Sequence, residues 1–240
     1  MIPVPQSAMV LAAGLGTRMR PLSDTVPKPM IEIGGRTLLD HAIDRLERVG
    51  VERVVVNVHY QAEQIVAHLG ARAHPKIIFS REETLLDTGG GVARALPWLD
   101  ETFFVVNGDV LWLDGAALAL ARLAAAFDPD RMDAVLLFQR TAGAIGYDGN
   151  GDFFLDPLGT PRRRAEREIA PYIFAGIRVL HRRLFDGVTD PVFSVNRLFD
   201  KAIDAGRLAA IVHDGEWYHV STPGGLAETR ERLAAHRIER

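Results

Sequence analysis

The sequence predicts an α/β fold in which helices cover both faces of a mainly parallel, mixed sheet, and three observations carry that expectation. Apolar runs of strand length, several of them continuous rather than alternating, are separated by stretches with helical spacing. Strands spaced by helices call for crossover connections, and a strand covered on both faces reads as an unbroken apolar run. The chain is also long enough, at 240 residues, to bury a sizeable core. It contains no cysteine, which excludes disulfides and thiolate-bound zinc.

Taken in order, "AMVLAAG" (8–14) reads as a buried strand ending in glycine. In "LLDHAIDRLERVG", residues Leu39, Ala42, Ile43, Leu46 and Val49 mark one helix face, and Gly50 is placed to stop it. "ERVVVNVHY" is a β-branched strand, and "QAEQIVAHLG" a short helix with Ile65, Val66 and Leu69 inward and Gly70 as its stop. "KIIFS" is a strand, "GGGVARALPWL" a glycine-opened helix, "TFFVVNGDV" a strand, "GAALALARLAAAF" an alanine-rich helix and "DAVLLF" a strand. From about Gly143 the chain turns rich in Gly, Asp, Pro and Arg, which suggests hairpins and loops, with Arg162–Arg164 on a solvated loop. "YIFAGIRVLH" is a further strand, "NRLFDKAIDAG" a helix, and "LAAIVHD" with "EWYHVS" a pair of strands. "TPGGLAETRERLAAH" closes the chain as a helix, with Thr222 as its cap and Pro223 in its first position. The expectation is one domain over 1–240, with a change of texture between 1–142 and 143–240.

A net charge of −3 argues against general nucleic-acid binding, which usually leaves a basic excess. The N-terminal apolar run lacks a basic flank and is too short to span a bilayer. No nucleic-acid partner and no membrane segment are expected, and a cysteine-free chain suits the cytoplasm.

"MVLAAGLGTRMRPLSDTVPKPM" (9–30) sets two glycines and three cations directly behind the first strand, as a polyphosphate would require. A P-loop needs G-x-x-x-x-G-K-[ST], which is absent. A dinucleotide fingerprint needs a third glycine where Met19 stands. The whole stretch supports another reading. The backbone of Leu11, Ala12 and Ala13 would lie against a nucleoside, Gly14 and Gly16 would bring N–H groups to phosphates without a Cβ in the way, and Thr17 is assigned to the nucleotide beside them. Arg18 offers a planar fork, and Lys28, between Pro27 and Pro29, a point charge.

"LAAGLGTRMRPLSDTVPKP" resembles the signature of the sugar-1-phosphate nucleotidyltransferases, with Ser23 where threonine is common. The resemblance covers nearly the whole chain. It implies a Rossmann-like fold of the nucleotide-diphospho-sugar transferase type without a C-terminal β-helix. Glu82, Thr88, Gly89, Gly90 and Gly91 fit the family's loop for base and ribose, with Leu85 in place of the common proline. Asp109, in "FFVVNGDV", corresponds to the aspartate that binds Mg²⁺ on the nucleotide phosphates. The late W-x-D-x-G-T-P stretch reads "EWYHVSTP", with His219 for the second metal carboxylate and Ser221 for glycine. Imidazole suits Mn²⁺ better than Mg²⁺, so His219 is open as a ligand, a phosphate donor or a packed neutral ring. Asn107, Asp152 and Ala175 are assigned to the sugar by position, Asp152 also reading as a hairpin turn.

The resemblance implies Arg18, Lys28 and Asp109 as catalytic residues, with an NTP and a sugar 1-phosphate as substrates. It is closest to the short bacterial members that join UTP to N-acetylmuramate 1-phosphate in cell-wall recycling, on "ETLLDTGGGVARALPWL", "GDFFL" and "FAGIRVLHRRLFDG". Mannose, glucose or heptose 1-phosphate, or phosphocholine with CTP, are the alternatives. A non-catalytic regulator that binds nucleotide sugars is a different class, motivated by His219.

Overall fold

The structure, a computed structural model, describes residues 3–238, and only the backbone of 236–238. The outermost residues of the expected span 1–240 lie outside the described residues. β1 (Ser7–Leu11) ends before the glycine expected to close it. Its next N–H, at Ala12, leaves the strand ladder for Asn57 Oδ1 at 2.7 Å. A ribbon of β2 (Glu32–Ile33) and β3 (Arg36–Thr37) leads into α1 (Leu38–Arg48). That helix starts on a capping box: Thr37 Oγ1 accepts from Asp40 N, and the Asp40 carboxylate accepts from Thr37 N. It buries Leu39, Ala42, Ile43 and Leu46, while Val49 falls past its last turn, half-buried.

The alternation continues with β4 (Arg53–Val58), α2 (Ala62–Leu69), β5 (Lys76–Arg81), α3 (Asp87–Ala95) and β6 (Thr102–Asn107). α3 opens at Asp87, so Gly89–Gly91 lie inside its first turns instead of ahead of it. β7 (Val110–Leu113), α4 (Ala119–Ala126) and β8 (Ala134–Arg140) follow, then β9 (Ala144–Ile145), β10 (Phe153–Leu155), β11 (Pro161–Arg163) and β12 (Tyr172–His181). The chain finishes with α5 (Asn196–Asp204), β13 (Leu208–Val212), β14 (Glu216–His219) and α6 (Pro223–Ile238). The expected cap of α6 is present, with Gly225 N donating to Thr222 Oγ1 at 3.1 Å.

The large sheet has nine strands in the order β11-β10-β12-β6-β1-β4-β5, with β8 added to β12 and β13 to β8. β6, β1, β4 and β5 are mutually parallel, whereas β12 runs antiparallel to β6 and β8. Each face carries its own core. Val56 and Phe104 of the sheet pack with Ile43 of α1, Ile65 of α2 and Leu123 of α4. Met9, Val105 and Phe138 of the sheet pack with Val92 of α3 and Phe199 of α5. The sheet is therefore wound on both sides, as expected.

Two sequence expectations are corrected. Arg162 and Arg163 belong to strand β11, where they pair with Glu168 and Asp200 and lie over the rings of Phe154 and Phe153. The strands β13 and β14 are not partners. β13 adds to β8, while β14 joins β7 and β9 in a separate three-stranded sheet. His213 pins the crossing between them, its Nε2 meeting the carbonyls of Leu113 and Glu216 at 3.0 and 3.2 Å.

Because Nε2 must donate to those carbonyls, Nδ1 carries no proton, and it is buried without a partner among the described residues. Burial holds the His213 pKa below its ordinary value, against the opposing pull of the carbonyls and of Asp214 and Asp114. A folded-state pKa below the unfolded one means the unfolded chain takes up the proton first. Stability is therefore full above about pH 6.5, the ordinary histidine value, and falls as pH drops below it until the folded pKa is passed. Thermal melts at pH 7.5 and 5.5 should show this loss, and His213→Gln should show less of it. Equal losses in the two proteins would rule out His213 as the cause.

Candidate active site

The parallel strands bring three residues into one row at their carboxyl ends. Leu11 of β1 stands in register with Asn57 of β4 on one side and Asn107 of β6 on the other. Such a crevice is where open α/β sheets take ligands. Here it is a cleft of about 570 Å³. Its floor includes Leu11, Ala12 and Ala13; the loop Gly14, Gly16, Thr17 and Arg18 crosses its middle. Asn57, Glu82 and Thr88 line it on the β4–β5 side, Asn107 and Asp109 on the side of β6.

The loop is held from below. Gly16 sits at φ +62°, a conformation glycine adopts without strain. Ser23 is buried and its hydroxyl donates to Gly16 O at 2.8 Å, so the replacement of threonine keeps the bond that matters. Arg18 is exposed, with no hydrogen-bond partner among the described residues.

Lys28 is only 8% exposed, and its Nζ lies 2.7 Å from Asp109 Oδ2. Burial alone would push the Asp109 carboxyl up. The Lys28 ammonium beside it, then His219 and Arg18, hold it below the usual carboxylate range. The result is a carboxylate ionised at neutral pH, partly open to the cleft, next to two cations. On the opposite wall Asn57 spans the floor. Its Oδ1 accepts from Ala12 N and its Nδ2 donates to Glu82 Oε1 at 2.7 Å, while Glu82 Oε2 accepts from Leu86 N. An acceptor pair of that kind, fixed in place, suits the donors of a nucleoside.

Residues 8–239 match the family described as the MobA-like NTP transferase domain. The chain belongs to that family. It is 41% identical over 236 residues to an N-acetylmuramate alpha-1-phosphate uridylyltransferase of Caulobacter vibrioides, a match covering 96% of this chain and 98% of that one. A protein of the same name from Neisseria meningitidis serogroup B is 32% identical, over 95% of this chain and 98% of its own. HddC from Yersinia pseudotuberculosis, solved with GMP-PN, shares the fold at a TM-score of 0.75 and 22% identity, covering 95% of this chain and 99% of its own. The protein is thus an enzyme of the nucleotidyl-transferring class.

Six sequence-expected residues, Gly89, Gly90, Gly91, Asp152, Ala175 and His219, fall outside the lining of this NTP transferase's cleft. Gly89 and Gly90 give their N–H groups to Phe193 O at 2.8 and 3.1 Å, not to the cleft. Thr88 does reach the cleft, but its Oγ1 accepts from Val195 N. This turn therefore docks the strap 190–195, whose Val192 forms a cleft wall. Asp152 serves backbone, its Oδ2 accepting from Phe174 N where β10 meets β12. Ala175 is fully buried, and its carbonyl accepts from Trp217 Nε1. His219 stacks on Trp217, ring centroids 5.6 Å apart, with Nε2 2.7 Å from Ser221 Oγ. Burial holds its pKa down, against the pull of Asp109.

Sequence reasoning missed Asn57, Asp87 and Val192, all in the cleft lining, and Ser221, noted only as the replacement for a motif glycine, lines it too. Asn57 carried a signal, as the lone amide in the apolar run "RVVVNV". The others carried none that spacing could expose. Among the described residues no helix is long and apolar enough to cross a membrane.

Proposed function

We propose that the protein transfers the uridylyl group of UTP to N-acetylmuramate 1-phosphate, releasing pyrophosphate, in the cytoplasm and in the recycling of cell-wall sugars. The end-to-end match to the Caulobacter vibrioides uridylyltransferase carries this reading. A phosphate oxygen of the sugar 1-phosphate bonds to the α-phosphorus as the bond to the pyrophosphate oxygen breaks. The nucleophile is already anionic at neutral pH, so no general base is needed. The work left to the protein is to hold two anions together and to stabilise the charge on the leaving pyrophosphate.

Each part of the cleft has a place in that task. Asn57, Glu82 and the backbone of Leu11–Ala13 hold the nucleoside, the loop 14–18 takes the triphosphate, and the side towards β12 takes the sugar. Arg18 and Lys28 face the phosphates. Residues 1–142 carry the nucleotide and 143–240 the sugar, within one domain.

The donor set fits Mg²⁺ in one way. Among the described residues no cluster of three or more His, Asp or Glu could hold a metal by itself. Asp109 offers a single hard carboxylate at the cleft, which suits an ion completed by substrate phosphates and water. Mg²⁺ bound there would neutralise phosphate charge. His219 is not required as a ligand, and Mn²⁺ is the ion to try if it takes part.

The test is pyrophosphate release with UTP, CTP, GTP, ATP and dTTP, crossed with sugar 1-phosphates and phosphocholine. UTP with N-acetylmuramate 1-phosphate should be the preferred pair. Preference for another pair discards the substrate and keeps the chemistry. No release in Mg²⁺ or Mn²⁺ would replace the enzyme reading with nucleotide-sugar binding.

A further inference from the structure

Arg178 is the anomaly of the β12 side. It is 1% exposed, and its Nε and Nη2 have no hydrogen-bond partner among the described residues. No carboxylate pairs with it there; its guanidinium lies over the Phe174 ring at 5.4 Å. Burial alone draws its pKa down to about 9, so it remains charged at neutral pH. Buried charges are normally paired, because an isolated one costs stability. Its one short bond runs from Nη1 to Asn107 Oδ1, at 2.7 Å.

That bond decides how the Asn107 amide faces. Arginine has only donors, so the amide must turn its oxygen to Arg178 and its NH₂ away. Nδ2 has no hydrogen-bond partner among the described residues, and Asn107 lines the cleft. The backbone has been shaped around this amide. β12 bulges between Phe174 and Arg178, and the bulge holds Gly176 at φ +78°. A Cβ on Gly176 would come within 2.9 Å of Asn107 Nδ2.

We infer that Arg178 is a positioning residue that turns the Asn107 amide into a charge-backed donor for an anionic oxygen of the sugar 1-phosphate. The chemistry follows from what each group can offer. The free end of the amide is a donor pair, so its ligand is an acceptor. A hydrogen bond from a donor whose acceptor side is held by a cation is polarised towards negative charge. The uncompensated guanidinium behind it favours an anion over a neutral hydroxyl. Two groups of the substrate qualify, the phosphate and the carboxylate of N-acetylmuramate. Only the choice of sugar rests on the function proposed above.

Two variants test the pair. Arg178→Met removes the charge and should leave Tm unchanged or higher, since an unpaired buried charge is lost. It should nonetheless raise KM for the sugar 1-phosphate by about 10- to 100-fold, the range for a charge-assisted bond, with KM for UTP little changed. Asn107→Asp gives Arg178 the carboxylate partner it lacks, so it should raise Tm, and it replaces the donor pair with an anion. Its KM for the sugar 1-phosphate should rise at least as far. N-acetylmuramate 1-phosphate and N-acetylglucosamine 1-phosphate separate the sources. A loss confined to the first assigns the carboxylate, and an equal loss assigns the phosphate. The wild type is measured first on both. If it prefers another sugar 1-phosphate, the substrate reading falls and the variants are measured on that sugar. Unchanged KM for the sugar 1-phosphate in Arg178→Met or in Asn107→Asp, or a rise shared equally with UTP, would overturn the inference.

Discussion

Lys28→Met should lower kcat for pyrophosphate release by about 10²–10³, roughly 2.7–4 kcal/mol of transition-state stabilisation, in a protein that stays folded. The ammonium is held in the cleft wall by a 3₁₀ turn, Lys28–Met30, with Pro27 before it and Pro29 within it. Little backbone or side-chain freedom is left to lose when phosphates arrive, so on the function proposed above its charge is already aimed where negative charge develops. Methionine keeps the apolar stem and removes only the charge. The fold should tolerate this, because Asp109 keeps about 30% of its side chain in contact with solvent and is not stranded. The main factor holding the Asp109 carboxyl low would be gone, and burial would then push it up. Steady-state rates over a range of UTP decide the matter. A kcat near that of the wild type, with only KM raised, would reduce Lys28 to a ground-state binding group.

Much of the site that holds Lys28 was legible because its residues lie close together in the chain and have few other uses. A strand ending in small residues, a glycine at positive φ, and a lysine between two prolines read the same way in sequence and in structure. Asp109 was legible through the resemblance carried by "FFVVNGDV", which sets it just beyond an apolar strand. The long strand β12 and the capped helix α6 followed from periodicity and from Thr222 and Pro223. What stayed hidden depends on which segments meet. β13 and β14 each have a plausible strand pattern, but their patterns say nothing of partners, and the crossing at His213 sends them to different sheets. Asn107 was placed at the sugar by position alone. Arg178, in the run "IRVLH", carried no signal of its own, because a strand pattern does not show whether a charge has an acidic partner. Gly89 and Gly90 show the limit most clearly. Glycines after a threonine suggest a phosphate or nucleoside loop, yet the chain that approaches them lies a hundred residues later.

Gly90→Ala should therefore act through the strap, lowering stability by about 1–3 kcal/mol, as overpacking does, and loosening the cleft wall at Val192. A Cβ on Gly90 would stand 2.2 Å from Pro191 O and 3.1 Å from Leu86 Cβ. The first contact is with backbone, which cannot swing aside as a side-chain tip can. Alanine would favour the helix itself by up to about 1 kcal/mol, so a net loss measures the clash. To relieve it the strap must lift, and its anchors lift with it: Phe193 O on Gly89 and Gly90 N, Phe193 N on Leu86 O, and Val195 N on Thr88 Oγ1. The expected result is a fall in Tm of roughly 2–4 °C per kcal/mol for a chain of this size. Faster amide exchange at 193 and 195 and weaker substrate binding should accompany it. Gly224→Ala is the matched control, since a Cβ there meets nothing nearer than 4.0 Å. Because Gly90 makes no contact with the cleft, a loss of substrate binding in Gly90→Ala with Tm and amide exchange unchanged would mean that its N–H reaches the ligand after all, and the strap would no longer explain the glycines.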